Sequence, residues 1–563
     1  MGNRTIMKSE TGKVNTASHI GIHRTLVLMV YIYLAFPMLI FLLGWCRPLI
    51  GIPLAGVCLS ALVLGFRKRE NYVELDWKPT LSDKWKLVII AAVIFAWVAL
   101  SGIGGYVWQN GDHAWRNRIL QILVEYKWPP VTEERGLTYY IGTWLPAALV
   151  GKALGPDKAH TTLFIWVLLG VFLLYALICV WRRKIVLWPL IILVFFGGMD
   201  ILGSNIFTED PIRVFGVDHM EWWIPRQPYE LQYSSTTTQL YWVFNQSVPV
   251  WLAVMLLFMD ESPGNMIWVC SLVAITSTLP FVGMIPILIY YMFRRSEWYR
   301  PESVMQGWKM VLNNMASFQN LAGGGAVLII SFLYLIGNDN FTLFSDPAAG
   351  ENAVHLSVWL PWIFLLVTVI AVLLLGTLVI WICGNEKGYI LRNTLYAMAA
   401  FVLTMLFFGY LGTEKVGGND VYRLTCVIFF VLLEAGIYLY LLFRDVEDKG
   451  LFNVVAVSLL AIPFIRIGTT GDFCMRASIP GLFIVMLWCI DALGKKRKNL
   501  RIAILVTCLV LGAVAPIHEI KRALIKSRDG YVIEMVEEER ILNAQNFSGS
   551  LDTFFWRYIA RKK

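Results

Sequence analysis

The sequence predicts an all-α protein that crosses a membrane many times. Apolar residues make up 57% of the 563, charged residues only 15%, and mean hydropathy is +0.62, whereas soluble chains carry about 25% charged residues. Apolar runs of about 17–22 residues recur along the whole chain, each long enough to cross a hydrocarbon core of about 30 Å. The 23 Trp and 23 Tyr suit the interfacial belts of such proteins.

Taken in order, the runs predict helices at 25–45, 48–66, 87–107, 161–181, 184–203, 237–258, 265–279, 280–293, 323–337, 357–382, 393–411, 424–443, 450–466, 476–493 and 500–516. The first run follows a polar, basic leader without a small-residue cleavage site, so it reads as a retained helix. With the N-terminus inside, Arg67-Lys68-Arg69, Arg182-Arg183-Lys184, Arg294-Arg295 and Lys495-Lys496-Arg497-Lys498 all fall on the cytoplasmic side, as the positive-inside rule requires. That topology needs residues 139–155, short and holding Pro146, to enter and leave on the outer side. Backbone of this kind is tolerated only against protein or a water-filled cavity, so the segment is expected to line one. Pro280 is expected to divide the pair 265–279 and 280–293.

The same composition excludes several classes. The nine excess positive charges are explained by topology and call for no nucleic-acid partner. Nine scattered cysteines with no CxxC imply neither a disulfide framework nor a zinc site. No nucleotide-binding loop in a strand–turn–helix context, no tandem repeat, no matching halves and no soluble domain of about 100 residues are visible.

Ionisable groups concentrate in the outer loops 108–138 and 204–236 and at later outer helix ends. Only Glu434 falls near a helix centre, with Asp491 close to an inner end. A carboxylate in mid-bilayer costs about 2.5–3.5 kcal/mol or more, so this distribution favours interfacial chemistry over passage across the membrane.

The first loop reads WQNGDHAWRNRILQILVEY from Trp108. Asp112 supports two compatible readings: an N-cap of the amphipathic helix that follows, and a general base for an attacking hydroxyl, an effect of roughly 10²–10⁴-fold. His113 is either a surface histidine or a second base or orienting group. Arg116, four residues on, is either an intrahelical partner of Asp112 or a phosphate ligand, with Asn117 beside it. In the second loop Asp218, His219 and Glu221 precede Trp222-Trp223. They read as a sugar site or as a solvated aromatic belt, with Asp200 and Asp210 nearby. Asp-His occurs at 112 and again at 218, but without a third ligand at a recognisable spacing a divalent metal is only weakly indicated. Gln239, Tyr241, Asn245 and Gln246 then enter the membrane, as cavity lining or as polar glue between helices. Asp472 and Arg476 repeat the four-residue spacing, which reads first as a plain surface pair; alternatively Arg476 and Arg423, at outer helix starts, are placed to clamp a lipid phosphate.

With NGDHAWRN, YYIGTWLPAALVGKALG, SSTTTQLYWVFNQSVP and DFCMRASIP in view, the chain resembles the GT-C superfamily of integral-membrane glycosyltransferases, and bacterial polytopic members of it in particular. The resemblance covers roughly 87–300 in organisation, with further support from 420 to 516. It implies a GT-C-like fold of about 13–15 transmembrane helices with outer juxtamembrane helices and a re-entrant segment. It divides the chain into an N-terminal two-helix extension with its cytosolic loop (1–86), a membrane domain (87–516) and an outer tail (517–563), amphipathic in its middle. It implies transfer of a sugar from a polyprenyl-phosphate donor, on the outer face of a bacterial inner membrane, to a glycan, lipid or protein acceptor of the cell envelope. On that reading Asp112 is the base, assisted or replaced by His113, Asp218 or Glu221. Arg116, Arg423 and Arg476 hold the phosphate, and Asn117, Asp200, Trp222, Gln246 and Asp472 complete the substrate site. Many members carry paired acids where this chain has Asp-His, so the second acid is sought at Asp200, Asp210, Asp218 or Glu221. Two helices also precede the usual first one. Competing expectations are a polymerase or ligase of lipid-linked oligosaccharides, a flippase or transporter of them, and a non-catalytic scaffold that would leave Asp112 and the arginines apart.

Overall fold

A computed structural model describes residues 22–67, 81–207, 220–221, 231–259, 262–295, 304–338, 427–465, 472–495, 499–529, 533–543 and 547–562. The expected helices 357–382 and 393–411 lie outside them. The chain is an all-α polytopic membrane protein: among the described residues six helices are long and apolar enough to cross a bilayer, or seven if one bent pair forms a single span.

Helices α1 (Ile22–Trp45) and α2 (Pro48–Arg67) form a hairpin, with Pro48 opening α2 where its missing N–H costs nothing. Helix α3 (Leu81–Ala99) stops eight residues before the expected end. Gly102, Gly104 and Gly105 follow with φ of 83°, 87° and 78°, a backbone that β-carbon-bearing residues resist. The juxtamembrane helix α4 (Asp112–Glu125) buries Ile119, Leu120, Ile122 and Leu123. Strand β1 (Arg135–Leu137) and a 3₁₀ turn (Gly142–Trp144) lead to α5 (Leu145–Leu154). At about 15 Å, α5 is too short to span; it doubles back at Gly155 into α6 (Pro156–Arg182).

The expected helix 184–203 is broken into α7 (Trp188–Phe195) and α8 (Asp200–Phe207) around Gly197-Gly198, where a side chain on Gly198 would collide with the Glu434 carboxylate. Helix α9 (Thr236–Phe258) is almost wholly buried and kinks at Val243. The next pair, α10 (Pro263–Ser271) and α11 (Thr278–Arg295), divides at 272–277 rather than at Pro280; Pro280 sits in the first turn of α11, where proline is tolerated. Helices α12 (Val304–Met315) and α13 (Gly325–Leu335) flank a π-helical turn, Gln319–Gly324, and form the pair bent by 73°. Then come α14 (Val427–Leu442), whose π-helical turn Leu432–Gly436 holds Glu434, and α15 (Lys449–Ala461). Helix α16 (Asp472–Gly494) is followed by α17 (Leu500–Gly512) and α18 (Val514–Arg528). The last helix therefore runs some twelve residues into what the sequence suggests is a tail. Beyond it, β2 (Ser548–Ser550) pairs antiparallel with β1.

Different contacts mark the two ends of the bundle. At one end Arg182 of α6 bonds Asp491 of α16 at 3.1 Å, and Trp181 packs on Phe258 at the close of α9. Lys495 and Arg501 join the same end through Asp445, by its carbonyl and its carboxylate respectively. At the other end lie the α1–α2 turn, α4, β1 and the C-terminal segment. The amide of Arg47 donates to the Ile559 carbonyl at 2.9 Å and that of Arg561 to Trp45 at 2.7 Å.

Candidate functional site

The site grows from the start of α4. Gly111 occupies the cap position and Asp112 is the first helical residue, its amide donating to Asn110 Oδ1 at 3.2 Å. The expected N-cap role of Asp112 is thus corrected: its carboxylate accepts from Arg116 Nη2 at 2.7 Å instead of from the backbone. It still lies where the helix dipole favours negative charge. The two side chains differ in exposure, 43% for Asp112 and 10% for Arg116.

A second pair with the same design comes from the start of α16. Arg476 Nη2 donates to Asp472 Oδ1 at 3.0 Å, the guanidinium 12% exposed and the carboxylate 42%. Tyr140 extends this second pair. Its hydroxyl accepts from Arg476 Nη1 at 2.8 Å and from the hydroxyl of Tyr139. A phenol oxygen that accepts twice keeps its own O–H for a third partner. Burial, then Tyr140, hold the Tyr139 phenol well above its usual pKa, against the pull of both Arg476 and Arg116. Arg476 also feels the charge of Asp112. Residues distant in sequence therefore form one electrostatic cluster. Arg116 Nη1 and Arg476 Nε are buried and, among the described residues, take part in no hydrogen bond.

Neighbouring elements hold this cluster through helix irregularities. Pro249 of α9 cannot donate to the carbonyl four residues back, and that carbonyl, on Asn245, accepts from Thr143 Oγ1 at 2.7 Å. Nearby, the Tyr241 carbonyl accepts from Asn110 Nδ2 at 2.9 Å and the Gln246 carbonyl from Ser277 Oγ at 2.9 Å. Broken backbone inside a membrane protein needs such partners. The side-chain oxygens Asn245 Oδ1 and Gln246 Oε1 are buried and, among the described residues, accept no hydrogen bond. Gly142 passes so close to Ile275 and Thr276 that a β-carbon there would collide with the Thr276 methyl. Asn117 Nδ2 donates to Gln109 Oε1 at 2.9 Å, and Gln109 to the Gly102 carbonyl at 2.8 Å.

His113 points inward. It is 2% exposed, hydrogen-bonds through Nε2 to the Ser101 carbonyl at 3.2 Å and stacks on Phe244. Burial, aided by Arg116, pushes its pKa down to about 3, so it is neutral near pH 7, and the expected surface histidine is a buried one. Glu221 is fully buried at the start of α9, accepting from Thr238 Oγ1 at 2.6 Å, the Ser235 amide at 3.1 Å and Gln232 Nε2 at 3.3 Å. The Ser235 bond satisfies the amide of the α9 cap residue. Asp200, also buried, lies with Glu434 within electrostatic reach of Tyr438. Asp210, Asp218, His219, Trp222 and Arg423 lie outside the described residues. Among those described, no group of three or more His, Cys, Asp or Glu is placed to hold a metal ion.

Several contributors escape sequence reasoning: Tyr139 and Tyr140, the Thr143–Asn245 bond, and the C-terminal segment. The Val536 amide donates to the Ala114 carbonyl at 3.3 Å, and Phe547 packs between Trp115 and Tyr139. The guanidinium of Arg522 lies 5.1 and 5.0 Å from the rings of Trp108 and Trp242 and is paired with Glu519 at 3.3 Å. It fastens α18 to the loop that presents Asp112. The only sequence signals for these are the Tyr-Tyr dipeptide and the amphipathic tail.

The site thus belongs to a multi-pass membrane protein with a two-arginine, two-carboxylate cluster at one end. No family model, curated protein or solved structure matches the chain.

Proposed function

We propose that the chain is a glycosyltransferase of the GT-C kind, moving a sugar from a polyprenyl-phosphate donor to an acceptor of the cell envelope at the outer face of a bacterial inner membrane. The observation that carries this reading is the approach of the Asp112–Arg116 pair to the Asp472–Arg476 pair, close enough for Arg476 to feel the charge of Asp112. Buried guanidiniums with exposed carboxylate partners suit an anion that arrives from solvent or lipid. A donor phosphate competing for Arg116 and Arg476 would accept their N–H groups bidentately. The competition would release Asp112 from its ion pair. The freed carboxylate would then take the proton of the acceptor hydroxyl as its oxygen attacks the anomeric carbon. The glycosidic bond to phosphate breaks on the opposite face, giving inversion. The arginines stabilise charge as it gathers on the departing polyprenyl phosphate, and Tyr140 has an O–H to add.

The test is purified full-length protein in lipid nanodiscs with radiolabelled polyprenyl-phosphate sugar and an extract of envelope acceptors. Asp112→Asn should lower transfer by roughly 10²–10⁴-fold, read on protein that thermal melting shows to be folded at the assay temperature. Equal transfer by both proteins removes Asp112 as the base.

A second reading, a flippase or transporter of lipid-linked sugars, draws on the kink of α9 and the break between α7 and α8. Discontinuous helices are the usual makers of transport sites. Movement of labelled lipid across sealed vesicles with no glycosidic product would favour it.

A further inference from the structure

Beside the cluster, but separate from it, a groove of about 960 Å³ opens between α1, α5, the loop 127–133 and the C-terminal segment. Its rim carries Lys127, Lys152, Arg561 and Lys562 against a single acid, Glu133. Its wall is apolar, with Leu43 and Leu149 left 52% and 43% exposed. Leu43 ends a stripe of exposed apolar residues on α1, after Met29, Ile32 and Phe36. That spacing marks one helix face, and on a membrane-spanning helix such a face meets lipid.

Charge and apolarity in this order, a cationic rim over a wall continuous with a lipid-facing stripe, match one ligand chemistry. We propose that the groove binds an anionic glycerophospholipid, its phosphate among the four cations and an acyl chain along Leu43 and Leu149. Free phosphate would have no use for the stripe. The donor of the proposed reaction is not the occupant, because Asp112, Arg116, Tyr140 and Arg476 are absent from the lining. Two features preorganise the site. Lys152 is held by the carbonyls of Val124 and Tyr126 and stands 5.2 Å from the Trp128 ring. Trp128 in turn donates its indole N–H to the Leu123 carbonyl at 2.7 Å. Trp556 forms the shared wall with the cluster: it lines the groove and donates to Thr138 Oγ1 at 3.2 Å, one residue before Tyr139. The lipid therefore braces the C-terminal segment against the loop that carries the tyrosines, whatever reaction occurs there.

The experiment uses the full chain in phosphatidylcholine nanodiscs doped with phosphatidylglycerol, extracted gently and weighed by native mass spectrometry. Wild type should retain one phosphatidylglycerol in preference to phosphatidylcholine. The triple variant Lys127→Gln, Arg561→Gln, Lys562→Gln should retain it roughly tenfold less or worse, since each basic group near the surface adds separately to anionic-lipid binding. Glu133→Gln, which removes the opposing charge without touching the cations, should retain more, and it reads the proposal even if the triple variant misfolds. Equal retention of both lipids by wild type overturns the proposal, as does undiminished phosphatidylglycerol in a folded triple variant. Displacement of phosphatidylglycerol by stoichiometric polyprenyl phosphate also overturns it, because the groove would then belong to the donor.

Discussion

The two ends of the molecule use the same device to opposite effect. At each, an aspartate pairs with a cation four residues on: Asp112–Arg116 and Asp472–Arg476 at one end, Asp491–Lys495 at the other. At the basic end all three partners are similarly exposed, Arg182 at 21%, Lys495 at 27% and Asp491 at 35%, and two cations share one carboxylate. At the site end the guanidiniums are 10% and 12% exposed while their carboxylates are 43% and 42%. A sequestered cation under an accessible acid is set to exchange partners; an evenly exposed trio is not. Spacing in the sequence is identical, and burial makes the difference.

The largest expected effect attacks that asymmetry. Arg476→Lys keeps the charge but loses the planar fork that bonds Asp472 and Tyr140 together. Transfer from a polyprenyl-phosphate sugar should fall by roughly 10²–10³-fold, the scale seen when one transition-state donor is removed. The converse exchange at the basic end, Lys495→Arg, should leave transfer within about twofold. Comparable losses from both would mean that the two ends are not functionally distinct, and the assay comparing the two variants side by side decides it.

Next in size is the support beneath the site. Gly142→Val places a branched side chain against Ile275 and Thr276, in a segment whose neighbour Thr143 satisfies the carbonyl freed by Pro249. Overpacking of this kind costs about 1–3 kcal/mol, to be read as a lowered thermal midpoint in detergent. A variant as stable as wild type would show that the 142–144 turn is not clamped against the 272–277 loop.

These cases also mark how far the sequence could be read. The amphipathic period of α4 and the four-residue spacing of Asp112–Arg116 and Asp472–Arg476 are local signals, and each is present in the structure. The close approach at Gly198 hides inside an apolar run because the group it meets, the Glu434 carboxylate, arrives from another helix. Tyr140 is invisible for the same reason: its partner Arg476 stands 336 residues away, and no period or spacing records a pairing of that range. The capping role read for Asp112 failed by one position, because Arg116 competes for the same carboxylate.

His113 sharpens the contrast through pH. Its folded pKa is about 3, below the ordinary 6.5, so the unfolded chain binds the proton first as pH falls. The stabilisation is complete above pH 6.5 and is lost progressively toward pH 3, about 2 kcal/mol by pH 5. A thermal midpoint that drops between pH 6.5 and 5 in wild type, and much less in His113→Gln, is the expected result. Parallel curves for the two proteins would place the titrating group elsewhere.

The smallest effect is expected where the comparison began, at Asp491. Asp491→Asn removes one acceptor charge from Arg182 and Lys495, whose side chains already reach water and, for Lys495, the Asp445 carbonyl as well. Exposed pairs of this sort contribute about 0–1 kcal/mol, so the thermal midpoint should move by a degree or two and transfer should stay unchanged. Asp472→Asn is the matched substitution at the other end, and there the same loss of charge strands a guanidinium that has little water to turn to. If the aspartate of the basic end proved as costly to neutralise as that of the site end, exposure would no longer separate the two, and the case for a reactive cluster would rest on the electrostatic contact between Arg476 and Asp112 alone.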